Sequence, residues 1–243
     1  MRSLGKYVIF MGSLFTRRET FSTYISLITQ ECINVGYNSL FIVGIVSIFM
    51  GAVTTIQTAF NLVNPFIPDY VISLVVRDMA ILELSPTIIA IIFAGKVGSS
   101  IAGELGTMRI TEQIDALEVM GVNPATYLVR PKIFALMFFN PLLICLSMFG
   151  GVIGGWISGT LSGECTSAEF ISGIQYDFVP FKAVYAIIKT ILFAFIIASV
   201  SSFHGFFTKG GALEVGRSST RAVVFSSVFI IVSNYILTQL LLN

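Results

Sequence analysis

The sequence predicts an all-α integral membrane protein, with five transmembrane helices, an N-terminal interfacial helix and a short cytoplasmic helix. Three observations predict it. Of the 243 residues, 55% are hydrophobic and only 11% are charged, and the mean hydropathy is +0.90, far outside the usage of a water-soluble domain. The apolar residues fall into runs about as long as the roughly 20 residues that span a bilayer. The Lys and Arg residues outside those runs divide unevenly between the two sides.

The elements follow in order. Residues 1–20 (MRSLGKYVIFMGSLFTRRET) carry an apolar run but no small-residue cleavage site, and Arg17 and Arg18 follow the run. The expectation is a retained arm on the membrane surface and not an export signal. Residues 21–38, with Glu31, Asn34 and Asn38 among apolar positions, read as an interfacial helix. Together these form a segment over 1–38, followed by a five-span domain over 39–243. Spans are expected at Ser39–Phe60, Glu83–Ala102, Ile133–Ile157, Ala183–Phe203 and Ala222–Leu242. Between the first two, Pro65 and Pro68 predict an extended turn, and then a short segment that re-enters or lies flat.

Ten basic residues collect on one side: Arg2, Lys6, Arg17, Arg18, Arg109, Arg130, Lys132, Lys209, Arg217 and Arg221. Two, Arg77 and Lys182, fall on the other. That asymmetry puts the N-terminus in the cytoplasm and the C-terminus outside.

One stretch breaks the apolar pattern. GELGTMRITEQIDALEVMGVNP, residues 103–124, holds Glu104, Arg109, Glu112, Asp115 and Glu118. At helical spacing Ile110, Ile114, Leu117 and Gly121 share a face, and Glu112, Asp115 and Glu118 point elsewhere. Gly121 and Pro124 stop the helix. Membrane-surface helices favour Lys and Arg, so an acidic helix at about 109–120 suits a basic groove on a partner protein.

The run FAGKVGSSIAGELGTMRITEQIDALEVMGVNPATYLVRP, residues 93–131, resembles the signature of MlaE-type (YrbE-type) ABC transporter permeases. NVGYNSL at 34–40 with Phe49, Gly51 and Gln57, and GGALEVGRSSTRAVV at 210–224, extend the resemblance over nearly the whole chain beyond about residue 30. The chain departs from the family where Leu82-Glu83 replaces a common Arg-Glu, at Phe41 (commonly proline) and at Asn234 (commonly aspartate); Arg77 could supply the missing cation.

The resemblance implies a homodimer in the bacterial inner membrane. It also implies a coupling helix seated in a cytoplasmic ABC ATPase, and lipid cargo, phospholipid or a related lipid, exchanged with a periplasmic MCE-domain lipid-binding protein. On that reading the ATPase-coupling residues are Glu104, Arg109, Glu112, Asp115, Leu117, Glu118 and Met120. No nucleic-acid partner is expected.

The chain's own chemistry is sparse. No GxxxxGK[ST] loop occurs, so ATP and Mg are expected on the partner ATPase and no cofactor on this chain. The lone His204 and the three cysteines form no catalytic or metal pattern. A lipid path needs apolar walls with a few polar groups. Phe49, Met50, Val53, Thr54, Ile56, Gln57 and Phe60 of the first span, with Glu83, offer that mixture. Glu83, at a membrane helix end, is a functional candidate by default; Lys96 is expected to snorkel or to pair with Glu104. Gly95, Gly98, Ser99, Ala102 and Gly103, and Gly150, Gly151, Gly154 and Gly155, form small-xxx-small packing faces. An ion-coupled carrier working alone, using Glu83 and Lys96, is the alternative; the absence of an internal repeat weighs against it.

Overall fold

The computed structural model describes residues 2–14, 21–62 and 68–241. Among these there is no strand, and five helical runs are long and apolar enough to cross a membrane: Tyr24–Asn61, Tyr70–Ile110, Ala125–Ser162, Phe181–Phe206 and Ala212–Leu241. The all-α membrane architecture is therefore the observed one. Each expected span lies inside one of these runs, except that Leu242 falls outside the described residues.

The first three runs are longer than a bilayer requires. The second has 41 residues, ~60 Å at 1.5 Å per residue, about twice the hydrocarbon thickness. In chain order the helices are α1 (Arg2–Ser13), α2 (Phe21–Cys32), α3 (Asn38–Asn61), α4 (Tyr70–Met79), α5 (Ile89–Phe93), α6 (Ser99–Ile110), α7 (Gln113–Val119), α8 (Arg130–Ser162), α9 (Ser167–Gln175), α10 (Phe181–Phe206) and α11 (Ala212–Leu241). Wider π-helical turns at Ile33–Tyr37, Ala80–Ile88 and Ala94–Gly98 join consecutive helices, and a fourth at Ala125–Val129 opens the run into α8. These turns absorb an extra residue without ending the helix.

Two junctions are continuous. The segment expected as an interfacial helix is helical and leads without a break into the first span, α2 continuing through Ile33–Tyr37 into α3. The segment after Pro68 is continuous with the second span: α4 begins the helical run that continues to Ile110. Its apolar residues Ile72 and Val76 are buried beside Ala59, which keeps α4 helical. Residues 63–67, with Pro65, and residues 15–20, with Arg17 and Arg18, lie outside the described residues.

The chain forms two compact units. The first comprises Met1–Asn38, Ala90–Asn140 and Ile191–Asn243; the second comprises Ser39–Ile89 and Pro141–Thr190. Phe93, Ile101, Leu105, Phe193 and Ile197 are all buried in the first unit. Its N-terminal arm packs into it: Phe10 lies among Phe203, Phe206 and Phe207, and Tyr7 donates to Ser199 Oγ at 2.7 Å. Tyr7 and Phe10, three positions apart on one face of α1, both meet the aromatic end of α10.

The second unit is held by backbone approach. A Cβ on Gly51 would collide with the Gly151 carbonyl, and one on Gly154 with the Ile48 carbonyl. A Cβ on Gly155 would stand 2.7 Å from Thr55 Oγ1. Without a solvent-driven hydrophobic term in lipid, such contacts supply the dispersion that holds helices together. Gly95 of the other glycine face meets nothing within 4 Å, so that stripe is only partly used for packing.

Gly51→Ala is expected to destabilise the detergent-solubilised protein by about 1–3 kcal/mol, whereas Gly95→Ala changes stability by no more than about 1 kcal/mol. Thermal unfolding of the two variants side by side measures the difference.

Candidate functional site

The charge-dense stretch is not one helix of three turns. α6 ends at Ile110, where the Thr111 hydroxyl turns back onto the Thr107 carbonyl at 2.8 Å. Glu112 then adopts a left-handed conformation with φ 61, which breaks the α6 direction. α7 starts afresh at Gln113 and stops at Val119. Gly121, at φ 79, closes it: Gly121 N–H donates to the Glu118 carbonyl and Val122 N–H to the Leu117 carbonyl, at 3.0 and 3.1 Å. That is the stop read from Gly121.

Ile114 anchors α7 with no exposed surface, and Leu117 is half-buried. Glu112, Gln113, Ala116 and Glu118 are exposed, and so are the apolar Val119 (89%) and Met120 (68%). Arg109 and Asp115 bind each other, Nη1 to Oδ1 at 2.6 Å, and fix α7 against the end of α6. The seven expected coupling residues thus divide. Glu112, Glu118 and Met120 face outward, Arg109, Asp115 and Leu117 hold the element, and Glu104 turns to another partner.

That partner is Lys132, not Lys96. Lys132 is 3% exposed, and its ammonium lies 2.8 Å from Glu104 Oε2 and 2.6 Å from Glu31 Oε1. Periodicity along one helix cannot reveal this, because Glu31, Glu104 and Lys132 come from three separate elements. After α7, Asn123 accepts from the backbone N–H of Ala125 and Thr126 at 3.1 and 3.4 Å. Asn123 Nδ2 and Thr126 Oγ1 each donate to the Ser13 carbonyl at 3.4 Å. The chain leaving α7 is therefore tied to α1.

In the second unit, Phe49, Val53, Ile56 and Phe60 lie along one side of α3 and are exposed, with Phe60 at 79%. Gln57 is exposed beside them, and Met50 is half-buried. Thr54 departs from this face: it is buried, and its hydroxyl donates to the Met50 carbonyl at 2.7 Å.

Glu83 sits in the Ala80–Ile88 turn on an open groove of about 360 Å³ shared with Leu74, Asp78, Met79, Leu82 and Leu84. Thr87 donates to Glu83 Oε2 at 2.7 Å, and fully buried Lys189 lies 3.2 Å from the same oxygen. Lys189 also donates to the Leu82 carbonyl at 2.9 Å. One buried ammonium thus serves both a main-chain carbonyl and the Glu83 carboxylate of the same turn. Lys189 was hidden in the sequence as a single cation within an apolar run, and no local pattern marks its partners.

Arg77 does not reach for Glu83. Its guanidinium binds Asp78 at 2.9 Å and donates through Nη1 to the carbonyls of Ile174 and Tyr176, both at 2.7 Å. It caps the end of α9, while Lys182 holds the other oxygen of Asp78 at 2.5 Å. At the opposite end of α9, Thr166 and Glu169 form a reciprocal capping box. The hydrogen bonds from the Thr166 hydroxyl and backbone hold the Glu169 carboxyl below its ordinary value. The described cysteines are free, and the His204 ring stacks on Phe225 at 5.3 Å.

Five spanning-length helical runs among the described residues, with the short helix α7 between two of them, fit a multi-pass membrane protein. The family is specific. The model of the permease MlaE family matches residues 28–240, and the chain belongs to that family. It is 35% identical over 239 residues to a probable ABC transporter permease protein of Rickettsia bellii, covering 98% of this chain and 92% of that one. A probable ABC transporter permease protein of Synechocystis is 37% identical over 215 residues, covering 88% and 81%. The chloroplastic protein TRIGALACTOSYLDIACYLGLYCEROL 1 of Arabidopsis thaliana is 34% identical over 166 residues, covering 65% and 45%.

Two outcomes are expected. Lys189→Met lowers stability by about 1–3 kcal/mol, because the Leu82 carbonyl loses its side-chain donor; chemical unfolding of the variant beside the unaltered protein measures the loss. The Glu169 carboxyl has a folded value below its unfolded one, so its contribution to α9 is present above the ordinary carboxylate range and is lost as pH falls through the depressed value. Amide exchange in α9 therefore accelerates on acidification, and Thr166→Ala flattens that dependence.

Proposed function

We propose that this permease is the membrane-spanning subunit of an ATP-driven lipid transporter. Two copies form a homodimer in a bacterial inner membrane, with the N-terminus and α7 cytoplasmic and the C-terminus periplasmic. The observation that carries the reading is α7, a short helix fixed by Ile114 and the Arg109–Asp115 pair. Its free surface combines Glu112 and Glu118 with Val119 and Met120. An acidic rim around exposed apolar residues suits a partner that buries the apolar part and pairs the charge.

The partner is a cytoplasmic ABC ATPase, which binds ATP and Mg; this chain does no catalysis. The names of the Rickettsia and Synechocystis relatives support that pairing, and the Arabidopsis relative carries a glycolipid in its name. The apolar face of α3, with Glu83 nearby in sequence on the next run, suits an amphipathic cargo, phospholipid or a related lipid. Delivery or collection on the outer side falls to a periplasmic MCE-domain protein. The cycle runs from ATP binding, through closure of the ATPase pair, to displacement of α7 and a change in the space along α3.

Glu118→Arg with Val119→Glu is expected to abolish co-purification of the ATPase while leaving the permease in the membrane. Retention of the ATPase would sink the docking assignment. Phe49→Arg or Ile56→Arg is expected to cut lipid transfer at least about tenfold with the ATPase still bound, since a charge on an apolar lipid wall costs more than 1.4 kcal/mol. Transport that persists without the ATPase and stops when the proton gradient is collapsed would favour the ion-coupled carrier instead.

A further inference from the structure

The Lys132 junction lies off α7, outside the surface that α7 exposes. Lys132 is 3% exposed and binds two carboxylates, Glu31 on α2 and Glu104 on α6. The ammonium is buried while the Glu31 and Glu104 side chains stay 21% and 51% exposed, and such a pairing is weak evidence for stability, because desolvating the cation offsets its Coulombic gain. What the cluster does is join three elements at one atom. Glu104 lies five positions before Arg109, which grips α7 through Asp115. Glu31 lies at the end of α2, which runs through Ile33–Tyr37 into α3. Lys132 itself starts α8. Two residues earlier, the Arg130 guanidinium lies over the Tyr24 ring at 5.1 Å and the Phe134 ring at 5.8 Å, a second tie between the α2 run and the start of α8.

We propose that Lys132, with Glu31 and Glu104, is a positioning junction that transmits displacement of α6–α7 to the helical run carrying α3. This deepens the ATP-driven reading above and rests on it. One ammonium faces two carboxylates, so a shift of α6 moves Glu104 and changes how Lys132 shares its donors with Glu31. A lysine arm suits this exchange: it is a flexible point charge with three rotatable donors. The continuity of α2 with α3 then carries the displacement along the chain, with no further contact needed.

The test uses the purified permease–ATPase complex in proteoliposomes made from bacterial phospholipid, with hydrolysis and lipid transfer measured together. The neutral set Lys132→Met, Glu31→Gln and Glu104→Gln removes all three charges, so no unpaired charge is left buried. It is expected to keep its thermal stability, its bound ATPase and its basal hydrolysis, while lipid moved per ATP falls about tenfold, the scale of a typical coupling energy. Lys132→Arg, which retains the charge and the donors, is expected to keep most of the transfer. A neutral set that no longer folds, that moves lipid per ATP as the unaltered protein does, or whose hydrolysis and transfer fall in parallel, overturns the junction. If the unaltered permease brings down no ATPase, the ATP-driven reading fails, and the junction fails with it.

Discussion

In hydrocarbon no water is present to serve a backbone N–H or C=O, and every feature of this chain answers to that constraint. It makes the described residues almost wholly helical, and it makes the helices continue where a soluble protein would turn. Four π-helical turns change the pitch within long runs while keeping the backbone paired. The constraint is most visible at Lys189. Its ammonium donates to the Leu82 carbonyl at 2.9 Å, so a side chain serves a main-chain acceptor inside a spanning run. The charge this introduces is met by Glu83, 3.2 Å away.

The same solvent sets how helices adhere. Lipid tails compete equally well for leucine and phenylalanine, so apolar side chains alone do not select a neighbour. In the second unit the selection is made by glycines that let backbones touch, Gly51 against Gly151 and Gly154 against Ile48. Large apolar side chains such as Phe49 and Phe60 are left outward. That division gives α3 one face committed to packing and leaves another exposed.

Polar residues in the first unit serve as joints. Arg109 and Asp115 fix a two-turn helix at an angle that the left-handed Glu112 creates. Glu31 and Glu104 converge on Lys132. Asn123 and Thr126 hold the end of α1. The exposed helix α7 is thus held to α6 through Asp115, and the chain before and after it is tied to α8 and to α1.

How much of this was legible in the sequence depends on the range of the interaction. Composition and run length alone determined the all-α membrane class and the positions of the five spans, because burial in lipid is a local property of about 20 consecutive residues. The motif ELGTMRITEQIDALEVMG was specific enough to mark the permease family. The stop at Gly121 was legible too, because a left-handed cap is a property of one residue. The long-range partners of Glu104, Glu83 and Arg77 (Lys132, Lys189 and the carbonyls of Ile174 and Tyr176) were not, since those bonds join elements far apart in the chain. The break at Glu112 escaped because the apolar spacing of Ile110, Ile114 and Leu117 continues across it. Only the tertiary structure decided which charges meet and where α6 gives way to α7, because a buried charge takes the partner that three-dimensional packing brings within about 3 Å, and linear spacing does not encode that distance.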